Sequence, residues 1–422
     1  MVHGTQRGTI LDSRRALFAM AIAVACGMLC AAAYGQSLTW LGTYGTPVPY
    51  AESHGVSADG SVVSGWAGTS SPHIAFRWTA DTGMEDIGSL APNRDTEAWG
   101  LSADGRVIVG YGFVSSGIYR GFRWENGAFM QFGTLGGDTS WAYAASGDGS
   151  VVVGAAQVAS GFNHAFRWTP GSGMVDLGVL PGAVRSVGRA VSLDGEVVAG
   201  WSGFGTLIHH AFRWQNGVMT DIHNPAFGNS EALGISGDGN TVVGAWAPTS
   251  WVPTLPFRWT SSTGMVDLGT LGGQWGEAWA TSNDGSVIVG WSDRDPGETS
   301  EWAAFRWTPS GGMEDLNVTY ASLIPPGSRL EWASAVSPDG RFIVGNGINN
   351  ARYEAFLLDT ATCPGDLDGD GDTDLSDLAA LLAAYGTFSG DPNYNPAADF
   401  DSDGDVDLAD LAFLLADYGC LP

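Results

Sequence analysis

Glu97-Ala98-Trp99-Gly100-Leu101-Ser102-Ala103-Asp104-Gly105-Arg106-Val107-Ile108-Val109-Gly110 decides the fold. A segment rich in small residues runs into the turn tetrad Ser-x-Asp-Gly and leaves it through a β-branched run. The tetrad occurs seven times, its aspartates being Asp59, Asp104, Asp148, Asp194, Asp238, Asp284 and Asp339. They recur every 44 to 46 residues, with a last interval of 55. A fixed period of that size, with strand-forming residues between turns, marks a repeat architecture.

Each period continues in the same order. After the apolar strand comes a loop of variable length, then Ala-Phe-Arg-Trp, as at Ala75–Trp78, Ala165–Trp168, Ala211–Trp214 and Ala304–Trp307. A short Gly-containing turn leads to Gly-Met-x-Asp-Leu-Gly-x-Leu, as at Gly173–Leu180 and Gly264–Leu271. Four short strands joined by hairpin turns, with no room for a crossover helix, predict one propeller blade per period. The seventh repeat lacks its fourth strand, and Leu38-Thr39-Trp40-Leu41-Gly42 supplies an orphan copy. The expected fold is therefore mainly β: a seven-bladed β-propeller over 36–360, closed by the N-terminal strand, which removes exposed sheet edges. The arginines of the third strand (Arg77, Arg123, Arg167, Arg213, Arg258, Arg306) are expected to pair with a repeated Asp, the one in Asp-Leu-Gly being the candidate.

The chain of 422 residues carries 45 Asp and Glu against 18 basic residues, a net charge of −27, and every basic residue is Arg. Such a balance argues against nucleic acid, whose phosphates demand the opposite sign. Arg7, Arg14 and Arg15 precede an apolar run that ends at Ala33-Tyr34-Gly35, so 1–35 reads as a signal peptide. Ser13–Phe18 also resembles a twin-arginine signal, leaving the export route open. No later stretch is apolar for long enough to span a bilayer. The expected location is secreted, periplasmic or cell-surface. Cys363 and Cys420 then remain in an oxidising compartment and are expected to form a disulfide.

On a propeller, the variable second-to-third-strand loops gather on one face, where recognition surfaces are commonly built. Trp251, Trp275 and Trp302 fall near it. Seven residues before the turn Asp stand Glu52, Glu97, Trp141, Val187, Glu231, Glu277 and Trp332. Five before it stand His54, Trp99, Tyr143, Arg189, Leu233, Trp279 and Ser334. Period-two alternation puts both rows on one face. Glu52, Glu97, Trp99, Trp141, Tyr143, Glu231, Glu277 and Trp279 are thus candidates for a sugar site at the channel mouth, or residues that pack adjacent blades. No nucleophile-elbow, zinc-protease or phosphate-loop pattern occurs, so no catalytic residue is assigned.

The last sixty residues hold fourteen Asp and no Glu, Lys or Arg. Asp366, Asp368, Asp370, Asp372, Asp374 and Asp377 occupy positions 1, 3, 5, 7, 9 and 12 of a calcium loop, with Gly371 at position 6. Asp399, Asp401, Asp403, Asp405, Asp407 and Asp410 repeat it around Gly404. Position 7 contributes its backbone carbonyl. Each loop leads into an apolar helix, so two Ca2+ ions are expected.

Residues 38 to 360 resemble the extracellular HAF repeat family, on His164-Ala165-Phe166 and His210-Ala211-Phe212; the resemblance implies secretion and repeats, but no chemistry. Residues 363–422 look like a type I dockerin domain. That resemblance implies calcium-dependent folding and docking onto a cohesin-like or cell-surface protein. Leu375-Ser376 and Leu408-Ala409 stand at the recognition positions, where known members carry small hydroxyl pairs. The reading is a secreted non-catalytic recognition or scaffold protein, its propeller binding an extracellular ligand such as a polysaccharide, its tail tethering it to a partner. The alternative is a polysaccharide-degrading enzyme, a glycoside hydrolase or lyase, with its site at the channel mouth.

Overall fold

The computed structural model describes residues 36–44, 50–68, 71–205, 207–248, 254–295, 301–360, 363, 365–368, 373–401 and 403–420. The stretch 1–35 read as an export signal, Trp251, and the calcium-loop candidates Asp370 and Asp372 lie outside the described residues. The chain forms two compact units, Ser37–Thr360 and one that holds the described C-terminal residues. Among the described residues no helix is long and apolar enough to cross a membrane.

The first unit is a seven-bladed β-propeller of four-stranded antiparallel sheets. Six sheets take their strands in chain order, as Thr96–Leu101, Val107–Ser115, Ile118–Glu125 and Ala128–Gln131 do. The seventh contains Arg329–Val336, Phe342–Asn349 and Arg352–Asp359, and its fourth strand is Ser37–Trp40. That strand lies antiparallel to Arg352–Asp359, with Ser37 opposite Asp359 and Trp40 opposite Phe356.

The Ser-x-Asp-Gly turns build themselves from local hydrogen bonds. In the third blade the Ser146 hydroxyl donates to Asp148 Oδ1 (2.7 Å), which also accepts the Ser150 N–H (2.9 Å). Ser146 Oγ in turn accepts the Val151 N–H at 2.9 Å, launching the next strand. The pattern recurs in the other six turns. Gly149 takes φ +67°, which favours glycine. The residue between Ser and Asp joins neighbouring turns: Ala58 N–H donates to Ala103 O, Ala103 to Gly147, Gly147 to Leu193, and Leu193 to Gly237, all at 2.8–2.9 Å. Asp238 to Asn283 (3.0 Å) and Asn283 to Pro338 (2.7 Å) continue this collar. Pro338 has no N–H to give to Ala58.

Blades pack through the third strand. Phe76, Phe122, Phe166, Phe212, Phe257, Phe305 and Phe356 are all fully buried, each contributing roughly 2–3 kcal/mol of hydrophobic stabilisation. The arginines that follow the first six of these Phe make no ion pair with the Asp of Asp-Leu-Gly among the described residues. Antiparallel register sets Phe166 opposite Asp176 and Arg167 opposite Val175, so Arg and Asp emerge on opposite faces. Three of these arginines reach into the next blade instead: Arg123 Nε donates to Gly149 O, Arg167 to Gly195 O and Arg213 to Gly239 O, at 2.9–3.1 Å. The aspartates cap their own turns, Asp176 Oδ1 accepting the Gly178 N–H at 2.7 Å.

Mid-way along each second strand a glycine is required by close approach. A Cβ on Gly200 would stand 1.9 Å from Val187 O, and one on Gly110 2.0 Å from Glu97 O. Beside that contact every innermost strand carries a β-bulge, between Ala98 and Gly100 in the second blade and between Gly188 and Ala190 in the fourth. The extra residue is left unpaired.

In the C-terminal unit, helices Leu375–Ala384 and Leu408–Asp417 each open with a capping box, Asp374 with Asp377 and Asp407 with Asp410. Leu381, Ala384, Ala398, Val406 and Leu414 form its core. A disulfide joins Cys363 and Cys420, Cα atoms 5.6 Å apart.

Gly200→Ala is expected to lower stability by about 3 kcal/mol in urea unfolding, because backbone must move. Gly171→Ala, with open space around it, is expected to stay within about 0.5 kcal/mol. Hydrogen bonds within the turn hold Asp59, Asp104 and Asp194 below the ordinary carboxylate range, and Asp284 falls from 3.8 to about 2. Their folded pKa lies below the unfolded one, so this stabilisation is complete above about pH 5 and lost as pH falls toward about 2. Thermal melts across that window should show the propeller transition fall with acid, and a flat profile would contradict the turn chemistry.

Candidate functional site

The bulge separates the two rows that simple alternation places on one face. The bulged residues His54, Trp99, Tyr143, Arg189, Leu233, Trp279 and Ser334 line a central cavity of about 220 Å³, closed further along by Ala103, Gly147, Leu193 and Pro338 of the collar. The row two residues earlier is absent from its wall. Three of the sequence candidates, Trp99, Tyr143 and Trp279, therefore sit in the channel. Glu52, Glu97, Trp141, Glu231 and Glu277 do not.

The channel residues are engaged with one another. His54 stacks on Trp99 with ring centroids 4.3 Å apart, and its side chain is only 5% exposed. Arg189 lies over Tyr143 at 4.7 Å and over Trp99 at 5.7 Å. Burial pushes the Tyr143 hydroxyl up. These groups line the axis packed on one another, with cation–π contacts in place of an open stacking face.

The earlier row faces grooves between blades, where two further rows meet it. One stands seven residues after each turn Asp: Trp66, Tyr111, Trp201 and Trp291, with Ala155, Ala245 and Asn346 in the other blades. The other stands three residues before the buried Phe: His73, Tyr119, Asn163, His209, Thr254, Trp302 and Tyr353. Sequence reading placed Trp302 near the variable face but did not recognise either row, although each holds a fixed offset from a repeated motif. Strand register brings them together, Glu97 opposite Tyr111 and Glu277 opposite Trp291.

In several grooves two such residues of one blade meet the earlier row of the next. Between the first two blades Trp66 stacks on His73 at 4.5 Å, and His73 Nδ1 lies 3.2 Å from Glu97 Oε1. Between the fourth and fifth, Trp201 stacks on His209 at 4.1 Å and His209 Nδ1 lies 2.6 Å from Glu231 Oε1. Arg185 occupies the other nitrogen of His209, at 2.8 Å. Between the sixth and seventh, Trp291, Trp302 and Trp332 pack with centroids 5.7–5.9 Å apart. Glu52 accepts a hydrogen bond from the Tyr50 hydroxyl and lies 3.4 Å from His54; these contacts hold it below the ordinary range although burial acts the other way. Glu277 is pushed up by burial while its Oε2 accepts from Trp279 and Trp291, at 3.0 and 3.4 Å.

One such groove lies where the first three blades meet. His73, Asp95, Glu97, Tyr111, Phe113, Tyr119 and Trp141 line a cleft of about 420 Å³. Glu97 Oε2 accepts from Tyr111 Oη (2.6 Å) and Trp99 Nε1 (3.2 Å). Asp95 Oδ1 accepts the His73 N–H at 2.7 Å. The second hairpin of this blade is long, Val107–Ser115 with Ile118–Glu125, and it carries Phe113 against Tyr119 at 3.9 Å. Tyr119 also approaches Trp141 at 5.8 Å. Burial, then Glu97, pushes the Tyr111 hydroxyl up. Rings along the walls with fixed carboxylates at the base suit a ligand that offers both flat apolar faces and hydroxyls.

In the C-terminal unit, Asp366, Asp368 and Asp377 each offer an oxygen within 4.8 Å of the others, as do Asp399, Asp401 and Asp403. Asp377 is fully buried; its Oδ1 accepts the Leu367 N–H (2.6 Å) and its Oδ2 the Asp374 N–H (2.7 Å). Asp410 does the same for Phe400 and Asp407, at 2.7 and 2.8 Å. Asp374 and Asp407 cap the two helices, accepting from the N–H of Ser376 and Ala409. Asp405 Oδ1 is buried with no hydrogen-bond partner among the described residues. Loss of hydration and then neighbouring carboxylates push Asp401 and Asp405 up. Hard oxygens crowded in this way fit a divalent cation. Leu375 and Leu408 are 67% and 66% exposed, and Ser376 and Ala409 are exposed beside them.

No protein-family model matches this chain, and no curated protein matches it. Among solved structures, oligogalacturonate lyase from Vibrio parahaemolyticus is similar at 9% identity, over 78% of this chain and 97% of that one, with a TM-score of 0.49. The β-propeller domain of the trilobed protease from Pyrococcus furiosus is similar at 8% identity, over 74% and 96%, with a TM-score of 0.48. Putative TolB from Agrobacterium tumefaciens is similar at 15% identity, over 65% and 92%, with a TM-score of 0.44. None of them assigns a ligand or an activity to this chain.

Proposed function

We propose that this chain is a secreted, non-catalytic recognition protein whose propeller binds an extracellular polysaccharide through the cleft shared by its first three blades. The carrying observation is the cleft itself: Tyr111, Phe113, Tyr119 and Trp141 beside Asp95, Glu97 and His73. Sugars present apolar ring faces to aromatic side chains and hydroxyls to carboxylates, and this lining supplies both. The site is moved from the channel mouth to the groove, because His54, Trp99, Tyr143 and Arg189 turn their stacking faces to one another in the channel. The disulfide supports placement in an oxidising compartment.

The C-terminal unit is the dockerin-like tether of this reading. Asp366, Asp368 and Asp377 would hold one calcium ion, and Asp399, Asp401 and Asp403 a second, with the backbone carbonyls of the loops completing each set. Calcium would offset the crowding of carboxylates there. The exposed pairs Leu375-Ser376 and Leu408-Ala409 would then meet a cohesin-like or cell-surface partner. The antiparallel pairing of Ser37–Trp40 with Arg352–Asp359 supports the reading of the N-terminal strand as the clasp of the ring.

Trp141→Ala and Tyr119→Ala are each expected to weaken polysaccharide binding by the full chain about tenfold or more, roughly 1.4 kcal/mol, in affinity electrophoresis or calorimetry. Unchanged affinity would reject the cleft, and release of new reducing ends on incubation would reject the non-catalytic reading. Calcium titration should show two ions per chain and raise the melting temperature of the C-terminal unit. At a hundredfold excess over Kd the gain is about 2.7 kcal/mol, reversed by chelator. Absence of both binding and thermal shift would reject the metal assignment.

A further inference from the structure

The cleft continues into a second lobe. Ser71, Arg94, Asp95, Phe113, Ser116, Gly117 and Tyr119 line a space of about 420 Å³ that shares Asp95, Phe113 and Tyr119 with the first. The hairpin tip between Val107–Ser115 and Ile118–Glu125 contributes Ser116 and Gly117 to the lining, and Arg94, just ahead of the innermost strand Thr96–Leu101, contributes as well.

Arg94 is exposed, and among the described residues it makes no ion pair. The acids beside it are already engaged. Asp95 accepts the His73 N–H, and Glu97 is held by Tyr111, Trp99 and His73. Asp95 stands at the border of the two lobes and Glu97 in the first, and Arg94 is the cation of the second. His73 keeps its Nδ1 toward Glu97, and its Nε2 makes no hydrogen bond among the described residues.

On the reading that this cleft binds glycans, we infer that the second lobe selects an anionic sugar unit, so that the ligand is an acidic oligosaccharide and not a neutral one. The guanidinium is a planar fork of donors that matches a carboxylate or a sulfate ester through paired hydrogen bonds. Phe113 and Tyr119 give the ring of that unit an apolar seat, and Ser71 and Ser116 offer hydroxyls beside it. The adjoining unit lies in the first lobe over Trp141. Two consecutive units are therefore read together, one by its hydroxyls and one by its charge. The strongly negative chain repels polyanions at range, so the selection acts at contact and is seen best with short oligosaccharides.

The test is a glycan array of neutral oligosaccharides paired with their uronic-acid and sulfate-ester counterparts, probed with the full chain and with Arg94→Gln. The expected result is preference for the anionic member of a pair, lost about tenfold or more in Arg94→Gln, with binding of the neutral member changed less than twofold. The uronate and sulfate arms show which anionic group is taken. Equal or better binding of neutral members, or an unchanged preference in Arg94→Gln, overturns the inference while leaving glycan binding intact. Binding of no glycan at all overturns both it and the reading on which it rests.

Discussion

In each blade a carbonyl oxygen stands where a side chain on the second strand would have to begin. The oxygens belong to Glu52, Glu97, Trp141, Val187, Glu231, Glu277 and Trp332, and the glycines they press on are Gly65, Gly110, Gly154, Gly200, Gly244, Gly290 and Gly345. No other residue leaves room. That approach accompanies the bulge in the innermost strand, and the bulge divides the blade's chemistry in two. One residue turns onto the axis, and its neighbour two positions earlier turns into the groove beside the next blade. The channel and the clefts are therefore products of the same backbone event.

Much of the architecture could be read from the chain before any coordinates. Ser-x-Asp-Gly, Ala-Phe-Arg-Trp and Gly-Met-x-Asp each announce a turn or strand through local chemistry, and seven copies in one order leave little freedom for the sheets. The site was less legible for a physical reason. Strict alternation places Glu97 and Trp99 on one surface, and a single unpaired residue cancels it. Nor does one strand show that Tyr111 stands opposite Glu97, or that His73 of the preceding blade meets the same carboxylate. Both rows keep fixed offsets from the repeated motifs, so the signal was present; what gave it meaning was register. The arginine partners were hidden more deeply, since backbone carbonyls of Gly149, Gly195 and Gly239 have no side-chain signature.

In the C-terminal unit the twelfth-position aspartates serve the fold as well as any ion. Asp377 and Asp410 gather the N–H groups of their own loops and close the capping boxes of Leu375–Ala384 and Leu408–Asp417. The side chain that shapes each loop is thus the one that also starts its helix, which ties loop geometry to helix geometry without a large core.

The seam between the seventh and first blades is built differently from the other six. Pro338 withholds the collar bond, and side chains stand in its place: Ser53 N–H donates to Asn346 Oδ1 (2.8 Å), Ser53 Oγ to Gly345 O (2.9 Å) and Ser334 Oγ to Ser53 O (2.6 Å). Ser334 is the smallest side chain of its row, and Asn346 is the member of its row that is neither aromatic nor alanine; both make these links. Six joints of the wheel are held by main-chain groups that every amino acid possesses. The remaining joint, beyond the parallel bridge of Tyr50 with Tyr353, is linked by the side chains of Ser53, Ser334 and Asn346, so a single substitution can loosen it in a way that the main-chain collar resists.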